Sequence, residues 1–299
     1  MSETQGAARV WTSLDLIKWT ADYFRKKEVD SPRLQAELLL AEVLGCDRVR
    51  LYVDFEKPVA PEHLEKFRAF VKRRGELREP LQYVMGHAPF LGLKLKVTPA
   101  VLIPRPETEE LAAWGVERLK ERAGEELRAV DLGTGSGCLA LYTAAQDTRT
   151  KVWAVDASAA ALEVAQANGT ALNLNERVTW LVGDLFVPLP AELRGRVGLL
   201  LSNPPYIDPA QRSGLQPEVR DHEPAQALFA EDAGRAVLDR IVDGAGAWLE
   251  GGGWLGLEIA PAHADALSAR IDARGEFEAV EVARDLNGKD RFIRARKRA

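Results

Sequence analysis

From residue 128 onward, short apolar runs alternate with longer stretches of helical periodicity, and nothing else in this sequence limits the fold as tightly. The runs fall at 128–132, 152–155, 178–182, 197–202 and 254–259, with helical patterns from about 138, at 159–171, 233–249 and 261–274. Two more runs, 277–282 and 290–293, close the series. A strand that leads through a helix to the next strand returns parallel to the first. Repeating that unit gives a mostly parallel sheet with helices on both faces. The expectation is an α/β, Rossmann-like fold with seven strands. In such sheets ligands bind outside the carboxyl ends of the strands, so the strand-ending turns are where chemistry is sought.

The fourth run, residues 197–202, stops at Asn203-Pro204-Pro205-Tyr206. Two prolines have no N–H for a sheet ladder, so the strand must end there. Each proline also holds the residue before it extended. The outcome is a stiff corner that offers an amide side chain, backbone carbonyls and an aromatic ring. Alone, it reads equally as plain punctuation of a strand.

The first run ends in Asp131-Leu132-Gly133-Thr134-Gly135-Ser136-Gly137. Glycines let the chain turn tightly and let a ligand approach the backbone. The third glycine comes one position too early for a dinucleotide fingerprint, with Cys138 in the expected place, and no Gly-Lys-Ser/Thr follows. The spacing suits a small nucleoside-like ligand. Asp156 ends the second run, where a carboxylate can accept both ribose hydroxyls or can cap the next helix. Gly183-Asp184-Leu185-Phe186 ends the third. There Asp184 can accept from an adenine amino group and Leu185 or Phe186 can pack on the ring, or the Asp can simply open a turn. Three such turns at consecutive strand ends are more specific than any one.

Residues 1–79 read as helical. Ser13 is placed to cap a first helix toward Lys27, Ser31-Pro32 opens a second that Gly45 ends, and Ala60-Pro61 opens a third that ends at Gly75. Lys72-Arg73-Arg74 reads as a solvated, basic helix end. Residues 80–103 read as a linking β-hairpin, with strands at 81–86 and 90–97 around His87-Ala88-Pro89. In Pro104-Arg105-Pro106-Glu107-Thr108-Glu109 the acids either suit the first turn of a helix or support a nearby site. The net charge of −5 and pI near 5.6 give no global attraction to nucleic acid. Two distant cysteines fit a reducing compartment, and four scattered histidines show no metal-ligand spacing, so no metal is expected. The start, residues 1–6, is polar, and no run reaches the ~20 residues of a membrane span. A cytoplasmic protein with no membrane partner is expected.

Taken together, the glycine turn, Asp156, Asp184 and the Asn-Pro-Pro-Tyr corner resemble the class I S-adenosylmethionine-dependent methyltransferases that act on a planar nitrogen. Within that group the chain is similar to the protein-(glutamine-N5) methyltransferases of peptide chain release factors over nearly its whole length. The similarity includes Gln82-Tyr83-Val84-Met85-Gly86, Leu102-Ile103-Pro104-Arg105-Pro106-Glu107-Thr108-Glu109, Glu223-Pro224-Ala225-Gln226-Ala227-Leu228 and Asp285-Leu286-Asn287-Gly288-Lys289-Asp290-Arg291. One departure is Glu258-Ile259-Ala260-Pro261-Ala262-His263, where the family often has Glu-Ile-Gly-x-x-Gln.

The resemblance implies a helical substrate-recognition domain at 1–79, the hairpin at 80–103 and a methyltransferase domain at 104–299. It implies S-adenosyl-L-methionine, leaving as S-adenosyl-L-homocysteine, at Gly133, Thr134, Gly135, Ser136, Gly137, Asp156, Asp184, Leu185 and Asn203. It implies that Asn203, Pro204, Pro205 and Tyr206 hold and methylate the glutamine of a release factor's Gly-Gly-Gln loop. A nucleic-acid adenine or guanine N-methyltransferase would use the same corner, and a non-catalytic binding module would use the glycine turn alone; the acidic charge opposes the first and the intact acid set the second.

Overall fold

The protein, seen in a computed structural model, is described over residues 10–299; the polar start at 1–6 lies outside them. The chain forms two compact units, Met1–Gly86 and His87–Ala299. In the first unit, α1 (Ser13–Lys26), α2 (Pro32–Leu44), α3 (Arg48–Val53), α4 (Pro61–Gly75) and α5 (Leu81–Met85) enclose a core of Leu16, Ile17, Phe24, Leu39, Leu40 and Phe67. The first cap is Thr12, not Ser13. Thr12 accepts from the Asp15 N–H while the Asp15 carboxylate returns to the Thr12 N–H, a closed capping box. Ser31 precedes Pro32 as expected but makes no side-chain cap bond.

Two further expectations in this unit are corrected. The strand at 81–86 is the helix α5, entered from Pro80 and closed by Gly86 at φ +82, with Tyr83 and Val84 buried. Five residues are too few for periodicity to separate strand from helix. Nor is Lys72-Arg73-Arg74 a row of solvated cations. Arg73 grips the Glu79 carboxylate with two nitrogens, at 2.7 and 2.5 Å, and Arg74 is buried with its Nε donating to Gln35.

The second unit opens with a hairpin, β1 (His87–Phe90) and β2 (Leu93–Lys96), paired antiparallel around Leu91-Gly92. His87-Ala88-Pro89, expected as the connection, is thus a strand. Then follow α6 (Pro106–Lys120), β3 (Leu127–Leu132), α7 (Cys138–Gln146), β4 (Thr150–Asp156), α8 (Ala159–Ala171), β5 (Val178–Val182) and β6 (Val197–Ser202). Short helices α9 (Pro217–His222) and α10 (Ala225–Leu228) and a single turn α11 (Glu231–Gly234) lead to α12 (Ala236–Ala245), β7 (Leu249–Glu258), α13 (Ala264–Ala273), β8 (Phe277–Arg284) and β9 (Asp290–Lys297). The helix expected from 233 starts at 236, because Asp232, Ala233 and Gly234 all take positive φ.

The seven-stranded sheet runs β5-β4-β3-β6-β7-β9-β8. β3 to β7 are parallel, and β9 pairs antiparallel with both β7 and β8. This is the expected mostly parallel α/β fold. The strand order reverses beside β3, where β4 and β6 lie on opposite sides, and the crevice at that switch point is the predicted ligand position. β6 is buried along its whole length, which accounts for its unbroken apolar run.

Candidate active site

The turns after β3, β4, β5 and β6 converge on one cavity of about 320 Å³ in the second unit. Its wall at β3 is the glycine turn. Gly133 and Thr134 donate to the Val155 carbonyl at 2.8 and 3.0 Å, and Gly135 donates to Asp156 Oδ2 at 2.8 Å, so the turn is pinned to the end of β4. Gly133 and Gly135 hold φ of +73° and +54°, and a Cβ at either would project into open space. The turn is therefore a backbone cradle with room above it. Gly137 differs: a Cβ there would press on Leu141, Ala165 and Trp180, so it serves close packing.

Asp156 does not cap α8. Ser158 does, accepting from the Ala161 N–H at 3.2 Å. Asp156 accepts instead from Ser158 N–H and Gly135 N–H, one on each oxygen, and lines the cavity with the remaining lone pairs. Burial raises its pKa against those two donors. Below the turn, Asp131 is 2% exposed. Its Oδ2 accepts from Thr134 Oγ1 at 2.6 Å and Ala140 N–H at 3.1 Å, and its Oδ1 has no partner. Burial lifts its pKa to about 7. Cys138 is pushed up to about 12 by burial, which keeps the thiol protonated. At the end of β5, Asp184 and Leu185 line the cavity, with Asp184 exposed and paired to Arg240 at 2.5 Å. Phe186 instead stacks on Trp248, with ring centroids 6.0 Å apart.

Asn203, Pro204 and Pro205 line the same cavity. Asn203 Nδ2 donates to Thr108 Oγ1 at 3.0 Å, and that hydroxyl donates to Glu258 Oε2 at 2.7 Å. Tyr206 donates from its hydroxyl to Glu258 Oε1 at 3.1 Å. Its ring joins the core around Leu200 and Ile259, and it is not among the cavity-lining residues. Glu258 is 1% exposed, and burial raises its pKa against the Thr108 and Tyr206 hydrogen bonds. Ala100, Val101, Leu102 and Pro104 also line the cavity. Buried Glu223 holds that segment, accepting from Ile103 N–H at 3.3 Å and from Arg105 Nη2 at 2.6 Å.

Comparison with known proteins places this geometry. Residues 15–86 match the PrmC N-terminal domain, and residues 114–217 the methyltransferase small domain. The chain is 41% identical to the release factor glutamine methyltransferase of Geobacter sulfurreducens over 96% of this chain and 97% of that one. To its counterpart in Mycolicibacterium smegmatis it is 43% identical, over 89% and 91%. The chain belongs to the release factor glutamine methyltransferase family. The N-terminal domain of human METTL16, solved in complex with SAH, shares the fold at a TM-score of 0.51, covering 80% of this chain and 82% of that one at 15% identity.

Against this family background, sequence reasoning located the glycine turn, Asp156, Asp184, Leu185, Asn203, Pro204 and Pro205 at one cavity but missed Thr108 and Glu258. Glu107 and Glu109 are the conspicuous groups of that segment, whereas Thr108 between them touches Asn203. Glu109 turns away and accepts from the Leu91 N–H, supporting the hairpin. The available signal was the family-like Pro-Arg-Pro-Glu-Thr-Glu segment, which contains Thr108. His263, in the segment that departs from the family, sits at the start of α13 with its Nε2 at 3.1 Å from the Ala233 carbonyl. Among the described residues no cluster of three or more His, Cys, Asp or Glu could hold a metal.

Proposed function

We propose that the chain methylates the side-chain amide nitrogen of the glutamine in the Gly-Gly-Gln loop of a peptide chain release factor, with S-adenosyl-L-methionine as donor. The observation that carries this reading is the Asn203 amide, braced by Thr108 and lining the same cavity as the glycine turn.

The cavity's chemistry fits the donor. It has an open backbone cradle at Gly133 and Gly135, the carboxylates of Asp156 and Asp184, and beneath the cradle the under-partnered carboxyl of Asp131. A cationic ligand suits such a set, since opposite charges attract strongly where water is scarce. In this reading Asp156 takes the ribose hydroxyls, Asp184 and Leu185 the adenine, and Gly133, Thr134, Gly135, Ser136 and Asn203 line the remainder, while Gly137, expected among them, lies outside the cavity lining and packs the turn against α8. When bound, the donor supplies a methyl group already activated on a sulfonium.

The protein's task is then orientation. An amide nitrogen is a weak nucleophile because its lone pair is shared with the carbonyl. Asn203 Oδ1 and the Pro204 carbonyl would accept the two substrate N–H groups and so hold the nitrogen in one orientation for methyl transfer. Pro205 keeps Pro204 extended, so its carbonyl does not wander. Tyr206, tied to Glu258, anchors the corner from behind. The helical unit is read as the substrate-recognition domain, and the cytoplasm as the compartment, in keeping with a chain whose described helices include none able to span a membrane.

The test is mass spectrometry of purified release factor after incubation with enzyme and S-adenosyl-L-methionine. The expected outcome is one added methyl group on the loop glutamine; a methylated nucleic acid with an unmodified factor would refute the reading.

A further inference from the structure

We infer that Glu258, acting through Thr108, sets which end of the Asn203 amide faces the substrate, so that the corner presents a hydrogen-bond acceptor and selects a donor NH2. The inference rests on the reading of Asn203 as the substrate clamp and adds two positioning residues to it.

The argument follows the hydrogens. An ionised carboxylate only accepts. Thr108 has one hydroxyl hydrogen, and at 2.7 Å from Glu258 Oε2 that hydrogen is committed. The Thr108 oxygen can therefore only accept from Asn203. The amide must turn its NH2 toward Thr108, as the 3.0 Å contact has it. The carbonyl oxygen is then the end left for a donor from outside the protein. Were the amide reversed, its NH2 would confront the substrate NH2, donor against donor, and Thr108 would lose its partner. The other carboxylate oxygen takes the Tyr206 hydroxyl, so one buried group on β7 steadies both ends of the corner that follows β6. The groups around Glu258 come from separate elements: Thr108 and Glu107 on α6, Tyr206 from the corner, and Arg291 on β9. Arg291 opposes the burial penalty on the carboxylate. A buried carboxyl group with one hydroxyl donor on each oxygen is suited to fixing a single arrangement.

The experiment compares Thr108→Val, which keeps the shape and removes the hydroxyl, with Thr108→Ser, which keeps the hydroxyl. Each is also combined with Asn203→Ala. Turnover on release factor is measured beside S-adenosyl-L-methionine affinity by calorimetry. Thr108→Val is expected to lower kcat roughly tenfold, in the range of one lost hydrogen bond, with donor affinity unchanged. Thr108→Ser should restore kcat to within about threefold of wild type. The double variant Thr108→Val with Asn203→Ala should be no slower than Asn203→Ala alone, because a residue acting through another has nothing to add once that one is gone. Glu258→Gln is the second probe. Its NH2 can donate to Thr108 and release the Thr108 hydrogen toward Asn203, so kcat should again fall with donor affinity intact. Wild-type kcat in Thr108→Val, a Ser variant as slow as Val, or additive losses with Asn203→Ala would each overturn the inference. If Asn203→Ala itself turns over normally, it is the clamp reading that has failed.

Discussion

Asp131 lies at the end of β3 almost out of contact with water, and burial raises its pKa from 3.8 to about 7 despite the Thr134 and Ala140 donors. The sign of the consequence is fixed. Between those values the folded chain holds a proton that the unfolded chain has released, so stability falls as pH rises through that window and is level above it. Asp131→Asn removes the titration. Measured by urea unfolding from pH 4 to 8, the variant should gain on wild type by at most about 1.4 kcal/mol per pH unit up to pH ~7, then run parallel. A constant gap across the range would show that the carboxyl does not titrate there. Asp156 carries a different expectation. Asp156→Ala should weaken S-adenosyl-L-methionine binding by roughly tenfold or more, as charge-assisted hydrogen bonds are lost; calorimetry showing unchanged affinity would remove it from the ribose role. Asp131 carries no role of its own in the sequence reading; Asp156 was legible there because a strand end is a local feature. The Thr108–Glu258 contact was not, because its partners stand 150 positions apart and only the packing of α6 over β7 unites them.

That packing depends on small residues at the level of whole elements. α6 crosses β6 and β7 where Gly115 and Gly256 leave no room for more. A Cβ on Gly256 would stand 2.6 Å from Trp114 Cζ3 and 3.0 Å from Leu201 Cδ2. Trp114 cannot swing aside freely, since its ring packs edge-on against Trp254 at 5.6 Å with Arg294 over its face. Gly256→Ala should therefore push α6 from the sheet, costing about 1–3 kcal/mol in thermal or urea unfolding, as overpacking does. Because α6 carries Thr108, turnover should fall further than S-adenosyl-L-methionine affinity; equal losses would mean that the shift spreads to the glycine turn. The elements themselves divide by how much sequence specified them. β5, β6 and α8 stand where their apolar patterns placed them; β6 is a buried parallel strand and α8 a long helix, both with a strong local signature, and β5 is the half-exposed edge strand. Residues 81–86 gave no such signature, and the left-handed turn at 232–234 follows from tertiary packing against Tyr206 and His263 rather than from its own residues.

At the scale of the molecule the deciding property is charge. The segment 1–79 holds 15 Lys and Arg against 14 Asp and Glu, a net of +1, so the remainder carries −6. Of the basic runs in the helical unit, Lys72-Arg73-Arg74 is largely spoken for, with Arg73 on Glu79 and Arg74 buried against Gln35, while Arg25-Lys26-Lys27 is exposed, with Arg25 paired to Asp22. A protein that gripped a nucleic-acid backbone would need a row of available cations, and its binding would weaken steeply with salt, by ~10³–10⁵ between 50 and 200 mM for six to ten phosphate contacts. A protein substrate held by shape and by neutral amide hydrogen bonds makes no such demand, because only its rim charges are screened. Methyl transfer to release factor, followed at subsaturating substrate from 50 to 200 mM salt, should therefore change kcat/KM by roughly tenfold or less. A loss of several decades would point to an extended cationic surface in the encounter and reopen the nucleic-acid reading.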